Sequence, residues 1–278
     1  MKRHIGLTTA RAVSIGIIAG AGLFTHPPSA QAQTPTLVDP SLGVSTVVGG
    51  LSQPIAMAFI GPNDILVTEK ASGQVKRATN GAVAGVVLDL PVNSNSERGL
   101  LGIALHLRFP RTPYVYLYNT ESTTGADSAA VAEVPLLGNR VDRFVWDGSK
   151  LTFDWNIIKL RSFQNDLNDV INPAAPLPLL RANHNGDLIV GSAVARPANV
   201  GHLYRFRLNQ RRTAFVFDDP RLQDKVADNL ALDDFTTEGE EIRFGSNFGI
   251  VTHIETGADG ALYLVSPSTG TIRKISKN

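Results

Sequence analysis

Short apolar runs separated by polar turns fill most of this chain, and one arrangement of them recurs. Residues 61–77 pass from Gly61 through the polar turn Asn63-Asp64 into Ile65-Leu66-Val67, then through Gly73 into a strand ending on Lys76-Arg77. Residues 257–274 repeat that order: Gly257, the turn Asp259-Gly260, the strand Leu262-Tyr263-Leu264-Val265, then Gly270 and a strand ending on Arg273-Lys274. A looser copy leads from Asn185-Gly186-Asp187 through Leu188-Ile189-Val190 to Gly201 and the strand His202-Leu203-Tyr204-Arg205-Phe206. Each copy joins a turn of Asn, Asp or Gly to flanking β-branched and aromatic residues, which is a β-hairpin pattern. The runs 54–59 and 250–255 stand in the same place before two of the copies, which favours a true repeat.

Further strands are expected at 85–90, 101–105, 114–119, 140–146, 151–159 and 213–217, where short branched or aromatic runs are bounded by Gly, Pro, Asn or Asp. No segment keeps a helical period over three turns, and short helices are expected at most at 164–171 and 126–133. Residues 121–138, 161–183 and 218–245 read as long loops. A four-stranded blade takes ~40–45 residues, so the chain beyond residue 32 holds about six terse blades, or about four once those loops are set aside. The expected fold is all-β and propeller-like with four to six blades; an antiparallel sandwich is the alternative that repeated hairpins leave open.

The first 32 residues stand outside that pattern. Lys2, Arg3 and Arg11 precede an apolar run from Ala12 to Phe24, followed by Pro27, Pro28 and the small-residue site Ala30-Gln31-Ala32. This is a signal-peptide pattern, because a spanning helix needs ~20 apolar residues and this run is shorter and broken by Gly16, Gly20 and Gly22. The expectation is export to the periplasm or the extracellular space, leaving residues 33–278 as one domain. Cleavage removes three basic residues and no acidic ones, so the formal charge falls from +1 to −2. No basic stripe marks a nucleic-acid partner, and no later run of ~18 apolar residues marks a membrane. The chain has no cysteine, which excludes disulfides, thiolate metal sites and a cysteine nucleophile.

Several phrases together resemble the soluble quinoprotein glucose/sorbosone (aldose sugar) dehydrogenases: Gly50-Leu51-Ser52-Gln53-Pro54, the run from Asp64 to Lys70, and above all Glu97-Arg98-Gly99-Leu100-Leu101-Gly102-Ile103-Ala104-Leu105-His106. Tyr114–Tyr118 and Asn139–Phe144 follow in family order, Asn183-His184-Asn185-Gly186 resembles the segment that carries the catalytic histidine, and the runs 224–228 and 257–263 read as family sequence. Asn185-Gly186 then passes almost at once into a strand typical of a late blade, as in a family member without its central blades. The resemblance thus implies an incomplete or shortened ring.

It also implies a chemistry. Family members oxidise an aldose and pass a hydride to pyrroloquinoline quinone, with a histidine taking the hydroxyl proton, a role suited to a group whose pKa lies near the working pH. By position His184 is the general base, and Asn183 and Asn185 flank it where they can orient the ring, the substrate or the cofactor. Glu97 falls where the family sets a polar residue against the cofactor. The arginines that neutralise the cofactor's carboxylates have no counterpart near Ile250 and Thr252, which leaves Arg196 and Lys70 as the candidate cations. Calcium is a further candidate cofactor, although the acidic residues Asp218, Asp219, Asp233, Asp234, Glu238, Glu240 and Glu241 read by themselves as a solvated loop. From the residues alone, His184 is a turn-capping loop histidine and Glu97 a surface partner of Arg98. The two functions to separate are a quinone-dependent sugar dehydrogenase and a non-catalytic propeller that binds a carbohydrate or a protein. The leader reading predicts a mature N-terminus at Gln33, and sequencing of exported material that begins at Met1 would overturn it.

Overall fold

The computed structural model describes residues 34–162, 180–184, 187–191, 201–211, 214–223 and 239–278. Two strands open the described chain, β1 (Thr36–Leu37) and β2 (Leu42–Val48). A first sheet follows as a meander of β3 (Pro54–Gly61), β4 (Asp64–Glu69), β5 (Gln74–Thr79) and β6 (Ala82–Asp89). The second is the meander β7 (Leu100–Leu105), β8 (Tyr114–Thr120), β9 (Asn139–Trp146) and β10 (Leu151–Leu160). The third holds β11 (Leu180–His184), β12 (Asp187–Gly191), β13 (His202–Leu208) and β15 (Arg243–Ser246), with β1 added beside β15 and the two-residue β14 (Phe215–Val216) beside β13. The fourth is β16 (His253–Thr256), β17 (Leu262–Ser266) and β18 (Thr271–Lys277), closed on its outer side by β2.

The three copies of the repeated phrase occupy the same two places. They form β4–β5, β17–β18 and β12–β13, the middle pair of strands in three different sheets. Among the described residues four antiparallel sheets, two of them extended by the N-terminal strands β1 and β2, define an all-β propeller-like fold within the sequence expectation.

Packing between sheets holds the fold together. Alternate residues of one strand serve different neighbours: in β4, Leu66 packs against the second sheet with Leu100, Leu117 and Phe144, whereas Ile65 and Val67 pack against Tyr263 and Val265 of the fourth. In β17, Leu262 and Leu264 turn instead to Leu203 and Phe244 of the third sheet. Runs of consecutive apolar residues in β4 and β17 are therefore buried on both faces, as expected for strands between two layers. The innermost strands meet in the order β11, β16, β3, β7, and no comparable packing joins the second sheet to the third among the described residues.

Four sequence expectations need correction. Residues 126–133 form no helix but an irregular loop whose carbonyls accept side-chain hydrogen bonds from Asn93, Asn95 and Arg98. The stretch 218–245 is not all loop: it contains a 3-10 turn at Pro220–Leu222, a helical turn at Gly239–Ile242 and β15, an outer strand too short for its period to show. The end of the loop read at 161–183 is strand β11, and the strand read at 213–217 shrinks to Phe215–Val216. The helix read at 164–171 lies outside the described residues.

Leu66, fully buried between the first two sheets, gives a direct test of the packing. Leu66→Ala should lower unfolding free energy by about 2–5 kcal/mol. Val86→Ala, on an exposed outer-strand side chain, should change the denaturant midpoint little.

Candidate functional site

Backbone pairing divides the molecule into two ends. At the first, the starts of inner strands gather: Lys70 N donates to Gln53 O at 3.1 Å, Leu100 N to Lys70 O at 3.0 Å and Thr120 N to Gly99 O at 2.9 Å. The connections between sheets lie here, and it is called the loop end. At the other, hairpin end, the β3–β4, β7–β8 and β16–β17 turns line one cleft.

The loop end carries the phrase that dominates the sequence resemblance. Residues 91–99 are fixed into the 121–134 loop from several directions. The buried guanidinium of Arg98 donates to Val131 O at 2.8 Å and reaches Asn93 Oδ1 at 3.5 Å, while Asn93 Nδ2 donates to Ala130 O and Glu133 O at 2.8 and 3.0 Å. Lys70 Nζ donates to Ser94 O at 2.9 Å. Burial pulls the Lys70 ammonium below its ordinary pKa, and the Glu97 carboxylate opposes that shift. Gly99 is required by this closeness: its φ is +135°, and a side-chain carbon there would strike the Lys70 carbonyl. The result is a braced loop that presents Glu97 to solvent.

Below it, the Glu69 carboxylate is 1% exposed and receives Ser52 N at 2.6 Å, Lys76 Nζ at 2.8 Å and Ser72 Oγ at 3.1 Å. It is a structural anchor that sequence reading passed over, since a carboxylate at a strand end reads as solvated. Two buried amide atoms at this end, Asn95 Oδ1 and Asn119 Nδ2, have no hydrogen-bond partner. One accepts and the other donates, which suits hydroxyl groups.

His184 lies elsewhere. It is the last residue of β11 and pairs with Asp187 across the turn into β12. Phe248 N donates to Gly201 O, which ties the start of β13 to the approach to β16 and so to the loop end. The β11–β12 turn is therefore at the hairpin end, and Glu97 and His184 stand at opposite ends of their inner strands. Asn183 precedes His184 in β11, whereas Asn185 and Arg196 lie outside the described residues.

The hairpin end has its own cleft of about 550 Å³, lined by Phe59, Asn63, His106, Phe109, Asp259 and Tyr263 among others. His106 Nδ1 accepts from Arg108 N at 3.1 Å, which leaves the proton on Nε2 when the ring is neutral. Three groups surround the Asp259 carboxylate: Lys274 Nζ on the next strand lies at 2.7 Å, the Tyr263 hydroxyl at 3.0 Å and Ala261 N at 3.1 Å. Burial opposes ionisation of Asp259, but these bonds outweigh it and hold the carboxyl below its ordinary range. Neither His106 nor Asp259 was a candidate from the sequence, because a histidine after a strand and an aspartate in a turn have ordinary local roles.

Of the acidic residues read as a calcium candidate, Asp218, Asp219 and Glu241 are paired. Asp218 meets Arg207 at 2.5 Å, and Asp219 caps the 3-10 turn and binds Arg221, which with the Arg221 N bond lowers its pKa to about 2. No group of three or more metal-ligating side chains gathers among the described residues.

Residues 51–150 match the family model described as Glucose / Sorbosone dehydrogenase. The resemblance read from the phrases above is borne out over this segment. An uncharacterised protein of Synechocystis sp. is 35% identical over 129 residues, 43% of this chain and 28% of that protein. Quinoprotein glucose dehydrogenase B of Acinetobacter calcoaceticus is 25% identical over 124 residues, 43% of this chain and 26% of that protein. The matches thus span little more than a quarter of these relatives. The soluble aldose sugar dehydrogenase of Escherichia coli, solved in the apo form, aligns at a TM-score of 0.48 and 14% identity, covering 85% of this chain and 100% of the other.

Pyrroloquinoline quinone, which the family resemblance implies, is a tricarboxylate. Around Glu97 the described residues offer it one ammonium, Lys70, already held by Ser94 O, and one carboxylate; Arg98 is turned into the protein. The residues around Glu97 do not fit the group.

Arg98→Ala should leave the Val131 carbonyl without its charged donor, costing about 2–3 kcal/mol. Hydrogen exchange should rise in residues 91–99 and 128–134 while β4 and β17 stay protected. Unchanged exchange in both loops would show that Arg98 does not brace them.

Proposed function

We propose that this protein acts on a sugar as an oxidoreductase of the glucose/sorbosone dehydrogenase type. The observation that supports this reading is the presentation of Glu97. The family-matching segment commits a buried arginine, a half-buried lysine and two asparagine amides to bracing one short loop, and the group that loop exposes is a carboxylate. Binding groups are commonly set this way, on loops fixed to a rigid scaffold. Carboxylate and amide together suit sugar hydroxyls, which donate to the first and either donate to or accept from the second.

Oxidation of a sugar hydroxyl removes a hydride from carbon and a proton from oxygen. The hydride needs a two-electron acceptor of the quinone class, and the proton needs a base within hydrogen-bond reach. On this reading His184 is the base, Asn183 and Asn185 orient it, Arg196 offsets acceptor charge, and the protein works after export.

A second reading has an observation of its own. Glu97 and His184 are at opposite ends of five- and six-residue inner strands, a separation of about 16–20 Å along the strand direction. One bound sugar ring does not bridge that distance, so on this reading the chain binds a carbohydrate without oxidising it.

The two separate in one series of measurements. The purified chain is titrated with pyrroloquinoline quinone and calcium by absorbance, then given aldoses with a dye acceptor. The dehydrogenase reading expects saturable quinone binding and turnover, with His184→Ala lowering kcat by at least ~10²-fold through loss of the base and leaving quinone affinity nearly unchanged. The binding reading expects no turnover with quinone in excess, but measurable heat on titration with the same sugars, weakened by Glu97→Gln. Neither turnover nor sugar binding would overturn both.

A further inference from the structure

The first and fourth sheets match residue by residue around one turn, and the fourth lacks one member of a charge pair that the first contains. β4 ends at Glu69 and β5 begins at Gln74; β17 ends at Ser266 and β18 begins at Thr271, so the two turns have the same length. The glycine before each second strand has a positive φ, +61° at Gly73 and +63° at Gly270. Its carbonyl accepts from a leucine in both, Leu90 N and Leu51 N, each at 3.1 Å. Register sets Lys76 opposite Val67 and Arg273 opposite Leu264. A register shift toward the outer strand falls in the same place, between Val75 and Lys76 and between Ile272 and Arg273. Lys76 is thus matched by Arg273, and Glu69 by Ser266.

In the first sheet the cation meets a carboxylate, since Lys76 Nζ lies 2.8 Å from buried Glu69. In the fourth it does not. Arg273 is 8% exposed, its Nε reaches Thr271 Oγ1 at 3.4 Å, and no carboxylate among the described residues pairs with it. Burial lowers the pKa of the guanidinium, and no opposite charge offsets that effect. An arginine nevertheless keeps its proton, so a shielded cation remains. Hydroxyls stand where the first sheet has its anion. Ser266 is 1% exposed with Oγ 3.4 Å from Ser268 Oγ, and Thr269 Oγ1 lies 2.7 Å from Thr271 Oγ1. Ser268 Oγ is taken by Ile250 N at 2.8 Å. A hydroxyl does not neutralise a guanidinium, and a shielded charge without a counterion is costly.

We propose that Arg273, with the hydroxyls of Ser266 and Thr271, binds the carboxylate of a small molecule, which takes the place that the Glu69 side chain fills in the first sheet. Pairing and alternation put these three side chains on one face: Ser266 is opposite Thr271, Arg273 is opposite Leu264, and each pair is two residues from the other. Leu264 packs toward the third sheet, so the site lies on that side of the fourth. A serine side chain ends at the position of the glutamate Cγ, and the carboxylate beyond it has no counterpart on the chain. The planar guanidinium fork matches a carboxylate in two parallel hydrogen bonds, and hydroxyls can donate to the same oxygens. The site is in a different sheet from the Glu97 loop and does not rest on the sugar reading.

Calorimetric titration of the purified chain with sodium acetate, at an ionic strength held constant with sodium chloride, tests this. Saturable binding is expected with a dissociation constant on the order of millimolar, as suits one charge-assisted contact. Arg273→Gln should weaken it at least about tenfold. Ser266→Glu should do the same for the opposite reason, because it returns to the fourth sheet the carboxylate that the first possesses. Arg221→Gln, at an exposed arginine already paired with Asp219, should leave binding unchanged. Far-ultraviolet circular dichroism confirms that the variants are folded. A second measurement does not depend on Ser266→Glu folding: acetate should raise the denaturant midpoint of the wild type, since it binds the native state, and should not raise that of Arg273→Gln. Absence of saturable binding, or equal affinity in Arg273→Gln, overturns the proposal. Sulfate bound in preference to acetate overturns the carboxylate assignment.

Discussion

A meander of four strands has two faces, and among the described residues no helical layer covers the packed sheets. Each apolar face must therefore find another sheet. Most of the architecture follows from that requirement: β4 sends Leu66 one way and Val67 the other, and β17 divides Leu264 from Val265 in the same manner. A sheet at the end of such a series has no automatic cover, which is why chain ends become useful. β2 completes the fourth sheet and β1 the third, so residues remote in sequence finish sheets built at the C-terminal side. Closure by chain ends couples the first described residues to the last, since Asn278 N donates to Ser41 O beside the β18–β2 pair.

The requirement also identifies where the chain departs from the family-matching segment. The match ends at residue 150, and β10 begins at Leu151. The first three strands of the second sheet keep a regular register with one another beyond a single shift near Leu100–Gly102, and the two bulges that turn Trp155 and Ile158 outward lie in the fourth. The apolar surface added after the match is thus concentrated on the sheet whose next neighbour is not supplied among the described residues.

What the sequence made legible was mainly local. Hairpins announce themselves because Asn63-Asp64, Asp259-Gly260 and the alternating runs beside them have few other conformations open to them. Their placement in the same two positions of different sheets was also implicit in the repeat. The short strand β15 was not legible, because Arg-Phe-Gly-Ser has no period to read and is held by β13 and β1, both remote in sequence. The loop 126–133 looked helical from composition, yet its carbonyls are claimed by Asn93, Asn95 and Arg98, and a carbonyl taken by a side chain does not favour a helical ladder. The same tertiary dependence hid Glu69 and Arg98: whether a charged residue is a solvated surface group or a buried brace depends on what the fold puts over it.

The candidate site shows how far local likeness extends. Glu97-Arg98-Gly99 is fixed at the loop end: Gly99 admits the Lys70 carbonyl, Arg98 reaches the 121–134 loop, and Glu97 is left outside. His184 has no such constraint. Its identity as a base depends on which end of an inner strand it occupies, and a hairpin one strand earlier or later moves it by the full length of a blade. A motif carries chemistry only with its topological address. The loop end holds a carboxylate, a half-buried ammonium and two unsatisfied amide atoms, a neutral and hydroxyl-seeking set. The hairpin end holds His106, Asp259 and an aromatic wall from Phe59 and Tyr263. Ligand recognition can therefore occur at either end by itself, whereas taking a proton from a hydroxyl and a hydride from the carbon that bears it requires base and acceptor at the same end. The topology of β11 is thus the structural variable on which catalysis, as distinct from binding, depends.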